Sequence, residues 1–350
     1  MVYQFLFLTL AAALPVAPSF QTPSYLQTNS STGYVTSDLS NYYGKWLMNI
    51  SIGSQQKQFT PIADSGSPEA WLPDYDGWAN ASTSLVKLNQ EYQTTYVNSA
   101  VQGYYAEDTI VLDNTSLEKF RFGVVDNPDA GANNVGVFGL SKKNDISYDT
   151  LPYALKTAGK IRLTVASVYY RHSANKGKLI FGGVDQAKVG SHWESHTSTG
   201  SLWDFPLTKM TIDGNDVYVD TNATTSNTFL VDTGTEVSFF PTKFLNQLAP
   251  LFNATRQDSG YYVMPCNQPP DRLFLITLGD LTYEIPFSTF IWQPSGSNQC
   301  YLGAGDSLIF NLNLLGTTVL SNLYVAFDYD NSEVKLAKLL DTDIETIVAW

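Results

Sequence analysis

Two aspartates stand in matching surroundings. One apolar run leads into Asp64-Ser65-Gly66-Ser67, and another leads into Asp232-Thr233-Gly234-Thr235. Each is followed later by an apolar-apolar-Gly triplet: Val137-Phe138-Gly139 after the first, Leu314-Leu315-Gly316 after the second. A lone Asp-Ser-Gly is a common turn. Two copies in matched context imply a duplication that builds two similar lobes. Two carboxylates close enough to share a proton supply both an activated water and a proton donor, which is what a hydrolysis without metal or nucleophilic side chain needs. Like charges at that distance cannot both ionise, so one apparent pKa of the pair falls and the other rises. Gly66 and Gly234 permit a tight loop and let backbone amides approach the carboxylates.

Rival machinery is absent from the sequence. The chain has 350 residues, 33 Asp+Glu against 20 Lys+Arg, a net charge of −13, three His and two Cys. It contains no CxxC, HExxH or GxSxG. His192 and His196 have the i, i+4 spacing of a zinc pair, but that spacing converges only on a helix. Their neighbours Gly190, Ser191, Thr197, Ser198, Thr199 and Gly200 read as loop. No metal and no organic cofactor are expected. Nucleic acid is excluded as a partner, because phosphate binding needs clustered Lys/Arg.

The elements that must hold the two aspartates are short strands. Trp46–Gly53, Phe59–Asp64, Lys178–Gly183, Thr228–Asp232 and Tyr324–Asp328 read as extended runs between Gly, Asn, Asp and Pro signals. Only Thr150–Thr157 and Pro241–Leu251 read as helical, so the fold class is mostly β. At this length two domains are expected. The apolar stretch Phe5–Ala13 is too short to span a bilayer and reads as a secretion signal, with cleavage after Ala13 or Ser19. The tail Ile344–Trp350 is too short for a lipid-anchor signal, so no membrane anchor is expected. Asn29, Asn49, Asn80, Asn114, Asn222 and Asn253 each begin an Asn-x-Ser/Thr acceptor for N-glycosylation, with Asn49 inside a strand-like run. In an oxidising compartment Cys266 and Cys300 most simply pair with each other, a closure worth about 3–4 kcal/mol in loop entropy.

Taken in order, these residues resemble the pepsin-like aspartic proteases, and among them the fungal secreted candidapepsins and yapsins. The resemblance covers roughly residues 33–340. It rests on Asp64-Ser65-Gly66-Ser67 with Trp71, Tyr96 ahead of Asp108-Thr109-Ile110, Gly136–Leu140, Gly159–Arg162, Leu179–Asp185, Asp232-Thr233-Gly234-Thr235, the two cysteines, and Leu315-Gly316 with Tyr324–Asp328.

The resemblance implies a bilobal fold with a cleft between two β-barrel-like lobes. It divides the chain into a signal peptide (1–19), a short segment (20–32), an N-terminal lobe (33–196) and a C-terminal lobe (197–350). It implies a secreted or extracellular, or else vacuolar, monomeric endopeptidase that works at acidic pH on protein substrates bound extended in the cleft. Asp64 and Asp232 would be catalytic. Ser65 and Thr233 would brace the opposite loop, and Ser67 and Thr235 would bond the outer carboxylate oxygens. Tyr96, Val97 and Asn98 would belong to a flap over the substrate, with Trp71 holding Tyr96.

The sequence departs from the family at several points. Val97 stands where glycine is usual, which implies a differently shaped tip. Glu236 and Thr317 replace a small hydroxyl residue and an aspartate. No Lys or Arg precedes Lys45, where the family carries a basic propeptide. The alternative reading is a secreted binding protein, a pseudoprotease on the same fold. A glycosidase, the other user of paired carboxylates, is disfavoured by the duplicated Asp-x-Gly context.

Overall fold

Asp64 ends the short buried strand Ile62–Asp64, which lies parallel to Val137–Gly139 with Asp64 opposite Gly139. Val137–Gly139 runs antiparallel to Ala70–Pro73, which in turn lies parallel to Thr115–Val125. The second half repeats this path. Thr228–Val231 lies parallel to Leu314–Leu315, whose Leu314 faces Phe239 of the antiparallel strand Ser238–Phe240. Ser238–Phe240 then lies parallel to Ala304–Asp306. Strands covered on both faces read as continuous apolar runs, which is why Phe229-Leu230-Val231 shows no alternation. The computed structural model describes residues 33–96, 100–126, 135–143, 146–219, 228–269, 271–294 and 296–350. The expected leader at 1–19, the flap residues Val97 and Asn98, and the acceptors Asn29 and Asn222 lie outside the described residues.

The protein is mostly β and bilobal. A sheet joins early and late parts of the chain. Leu323–Asp328, buried along its length, pairs with Val165–Arg171 on one side and Glu333–Lys338 on the other. Val165–Arg171 continues through Lys176–Phe181 to Val35–Tyr42. The terminal strand Ile347–Ala349 pairs with Gly183–Asp185. This sheet therefore crosses the 196/197 boundary. At the junction Leu140 O accepts from Trp203 Nε1 at 2.8 Å and from Tyr329 OH at 2.6 Å.

Both helices read from the sequence are present, as Leu151–Thr157 and as Thr242–Leu248 continued by a 3₁₀ turn, Ala249–Phe252. Two four-residue helices, Trp78–Ala81 and Thr317–Leu320, are too short to carry a 3.6-residue pattern. The run Trp46–Gly53 is two strands, Lys45–Met48 and Ile50–Ile52. They part at Asn49, whose N–H donates to Ser37 Oγ at 3.0 Å, while that hydroxyl lies 3.0 Å from Asn49 O. The run Phe59–Asp64 breaks at Pro61, which has no N–H to give a ladder.

Cys266 and Cys300 form a disulfide, with Cα atoms 5.2 Å apart. Asn49, Asn80, Asn114 and Asn253 are all exposed. His196 lies on the strand Glu194–Thr197 with its ring 5.7 Å from Phe205, and His192 bonds Glu194 at 2.9 Å. Among the described residues no helix is long and apolar enough to cross a membrane.

Candidate active site

The two aspartate loops meet tip to tip between the halves. Ser65 N donates to Thr233 Oγ1 at 3.0 Å, and Thr233 N donates to Ser65 Oγ at 2.9 Å. Each hydroxyl then donates across the junction, Ser65 Oγ to Val231 O at 2.7 Å and Thr233 Oγ1 to Ala63 O at 2.6 Å. Within each loop the carboxylate is held in the same way. Gly66 N donates to Asp64 Oδ1 and Gly234 N to Asp232 Oδ1, both at 2.8 Å. Ser67 Oγ donates to Asp64 Oδ2 at 2.5 Å, and Thr235 Oγ1 to Asp232 Oδ2 at 2.7 Å.

The glycines are required by this closeness. A Cβ on Gly66 would lie 2.9 Å from both Asp232 carboxylate oxygens, and one on Gly234 would lie 2.2 Å from Asp64 Oδ1. Both aspartates are buried, and their side chains are within hydrogen-bonding reach of one another. Burial first, and then the charge of Asp64, push the Asp232 carboxyl well above the ordinary carboxylate range.

Tyr96 follows the strand Val86–Thr95, which forms a hairpin with Ala100–Leu112. Its hydroxyl accepts from Trp71 Nε1 at 2.7 Å and lies within hydrogen-bonding reach of Ser67. Burial, then the charge of Asp64, raise the Tyr96 phenol, which stays neutral. Trp71, Tyr96, Ser67 and Asp64 thus form one connected chain of polar contacts. Cys266 and Cys300 lie apart from it, at the strand pair Tyr262–Met264 and Cys300–Leu302.

The two replaced positions turn out to be linked across the halves. Glu236 lies 3.6 Å from Lys45 Nζ, with both side chains largely buried. Thr317 Oγ1 donates to Gly44 O at 2.7 Å, across a separation of 273 positions, and Thr317 N donates to Thr235 O at 2.9 Å. Sequence reasoning missed Lys45 and Gly44 because no local pattern marks a partner so distant. Beside them opens a cavity of about 280 Å³ lined by Tyr43, Gly44, Glu236, Ile291, Trp292 and Thr317.

The family model for eukaryotic aspartyl protease matches residues 42–339. Secreted aspartic protease 8 of Candida albicans is 28% identical, over 90% of this chain and 81% of that protein. The acid protease of Saccharomycopsis fibuligera is 27% identical, over 87% of this chain and 83% of its own length. Candidapepsin of Candida tropicalis is 26% identical, over 90% and 84%. Among solved structures, the aspartic proteinase from Irpex lacteus superposes with a TM-score of 0.73 at 19% identity, covering 89% of this chain and 98% of that one, which speaks for the fold.

Proposed function

This chain belongs to the eukaryotic aspartyl protease family and is an aspartic endopeptidase, and on that premise we propose that it is secreted, glycosylated and acid-active, with Asp64 and Asp232 as its catalytic pair. The observation that carries this reading is the reciprocal loop contact, which fixes two buried carboxyl groups within reach of each other. The protonated member of the pair hydrogen-bonds the scissile carbonyl oxygen. The ionised member of the pair takes a proton from a water lying between them, and the water oxygen bonds to the carbonyl carbon. The carbonyl oxygen receives the proton of the protonated member, giving a neutral gem-diol. On collapse the C–N bond breaks, the nitrogen takes a proton from the pair, and one hydroxyl returns its proton, leaving a carboxylic acid, an amine and a singly protonated pair. Tyr96 covers the reacting centre from the hairpin, and Trp71 holds Tyr96 in place.

Substrate lies extended in the cleft, adding backbone hydrogen bonds as a strand does. Acid operation fits the net charge of −13, since protonating carboxylates relieves self-repulsion. Exposed Asn49, Asn80, Asn114 and Asn253 fit glycosylation along a secretory route, and a monomer is the expected state. The test is digestion of a denatured protein at about pH 3–5, with and without pepstatin, because the pair carries one proton there. Asp64→Asn and Asp232→Asn, made separately, each lower hydrolysis by about 10²–10⁴-fold. Retained proteolysis in either variant overturns the assignment of the pair. Absence of pepstatin-sensitive cleavage by the natural sequence favours the alternative, a secreted binding protein on this fold.

A further inference from the structure

We propose that Glu69 is a positioning residue that, together with Trp71, pins the Tyr96 hairpin to the segment carrying Asp64. The inference rests on the reading above, in which that hairpin covers the substrate. Glu69 comes just before the strand Ala70–Pro73, on the stretch that leaves Asp64. Its Oε1 accepts from Tyr105 OH and from Tyr148 OH, both at 2.6 Å. Tyr105 belongs to the hairpin strand Ala100–Leu112, and Tyr148 to the loop ahead of the helix Leu151–Thr157. One carboxylate oxygen therefore joins the aspartate segment, the hairpin and the body of the lobe.

The joint is reinforced on every side. The Tyr105 ring packs edge-on to Tyr92 of the other hairpin strand at 5.1 Å, and to Tyr148 at 5.8 Å. The Arg121 guanidinium sits 5.3 Å over the Tyr148 ring and pairs with Glu107 at 3.0 Å. The Glu69 backbone is itself fixed, since Gly139 N donates to Glu69 O at 3.0 Å. Both distances lie at the short end of the range for O–H···O hydrogen bonds. Burial, reinforced by the bond to Glu69, pushes the Tyr105 phenol up to about 12, so it remains a donor.

Trp71, two residues further on, holds Tyr96. Glu69 and Trp71 thus take two hairpin tyrosines at separate points, Tyr96 near the tip and Tyr105 lower down. One pin would leave a pivot. Two pins fix both the height and the tilt of the hairpin over the aspartates, which is the geometry that decides how tightly substrate is held.

The test uses Tyr105→Phe, Glu69→Ala and Glu69→Gln in the full chain. Tyr105→Phe keeps the ring contacts, so it folds with only the phenol bond removed. Amide hydrogen exchange of residues 100–106 in the free protein reads the pin directly, whatever the activity. KM and kcat on a fluorogenic peptide read its consequence. Tyr105→Phe and Glu69→Ala each speed that exchange about tenfold and raise KM about five- to tenfold, with kcat changed less than about twofold. Glu69→Gln, whose amide oxygen still accepts both phenols, stays close to the natural protein. The double variant is no worse than Glu69→Ala alone. Unchanged exchange in Tyr105→Phe and Glu69→Ala overturns the inference, even if the melting temperature falls. Glu69→Gln as impaired as Glu69→Ala also overturns it, by assigning the effect to charge. If no variant and no natural protein hydrolyses peptide, the catalytic reading falls, and the exchange rates alone still decide the pin.

Discussion

Ser65 and Thr233 each donate a backbone N–H to the other's hydroxyl, and both residues are fully buried. Each hydroxyl passes its own hydrogen on to a carbonyl of the strand behind its partner, Val231 O or Ala63 O. Every donor in this small ring has an acceptor. The two aspartate loops are therefore fixed to each other rather than merely adjacent, and the approach of Asp64 to Asp232 is set by the backbone.

Thr233→Ala removes one of these hydroxyls and orphans two buried groups, the Ser65 N–H and the Ala63 carbonyl. At about 1–3 kcal/mol for each unsatisfied group, the variant loses about 2–6 kcal/mol of stability and its loops relax. The urea midpoint falls and kcat falls with it. Thr233→Ser, which keeps the hydroxyl and loses only a methyl, costs about 1 kcal/mol and retains activity. Equal losses in the two variants would show that the methyl packing, not the hydrogen bonds, ties the loops.

Stability should depend on pH through Asp232. Its folded-state pKa is raised, by burial and then by the charge of Asp64. The native state keeps a proton that the unfolded chain has released. This contribution is complete below the unfolded value of 3.8 and is lost as pH rises through the folded value. Each pKa unit is worth about 1.4 kcal/mol, so the effect is visible in melting temperature. The natural protein therefore loses stability between about pH 4 and pH 8, and Asp232→Asn loses less over the same range. Parallel curves would contradict the assigned burial and coupling. Carboxylates held low, such as Asp149 beside Lys143, act in the opposite direction in both proteins and cancel in the comparison.

The aspartate loops were legible because the duplication writes their surroundings twice, in strands so buried that their apolar character does not alternate. The partners of those loops were not legible. Periodicity reports which face of an element is covered, never by what, so nothing local ties Gly44 to Thr317, Lys45 to Glu236, or Glu69 to Tyr105 and Tyr148. The joining sheet was hidden for the same reason: Tyr324–Asp328 read as a strand, while its neighbour Val165–Arg171 lies far back in the chain. Pro61 and Asn49 divided runs that hydrophobicity alone made continuous.

Trp71→Phe keeps an aromatic ring in the buried site and deletes the N–H that Tyr96 accepts at 2.7 Å. A neutral hydrogen bond of this kind is worth about 1 kcal/mol, a factor of about five. The expected result is a KM raised by about that factor, with the melting temperature lowered only slightly. Steady-state kinetics on a fluorogenic peptide check this. An unchanged KM would mean that Tyr96 is held by Ser67 without Trp71.

Lys188 is almost fully buried, and its Nζ donates to Thr342 O at 2.7 Å and Ile344 O at 2.6 Å. It also faces the fully buried Asp185, 3.8 Å away. Asp185 Oδ1 accepts from Thr346 N at 2.7 Å, and its Oδ2 accepts from Tyr169 OH at 3.2 Å. The pair thus holds the segment leading to the terminal strand Ile347–Ala349. Lys188→Met preserves length and apolar stem but leaves Asp185 without its cation and two carbonyls without donors. Removing one member of a buried pair costs about 3–5 kcal/mol, whereas replacing both together is much milder. Lys188→Met therefore lowers the urea midpoint strongly and exposes residues 340–350 to limited proteolysis first. Adding Asp185→Asn, which removes the stranded charge and keeps an acceptor, recovers a substantial part of the loss. A single variant costing under about 1 kcal/mol would show that the terminal segment is held by its strand pairing alone.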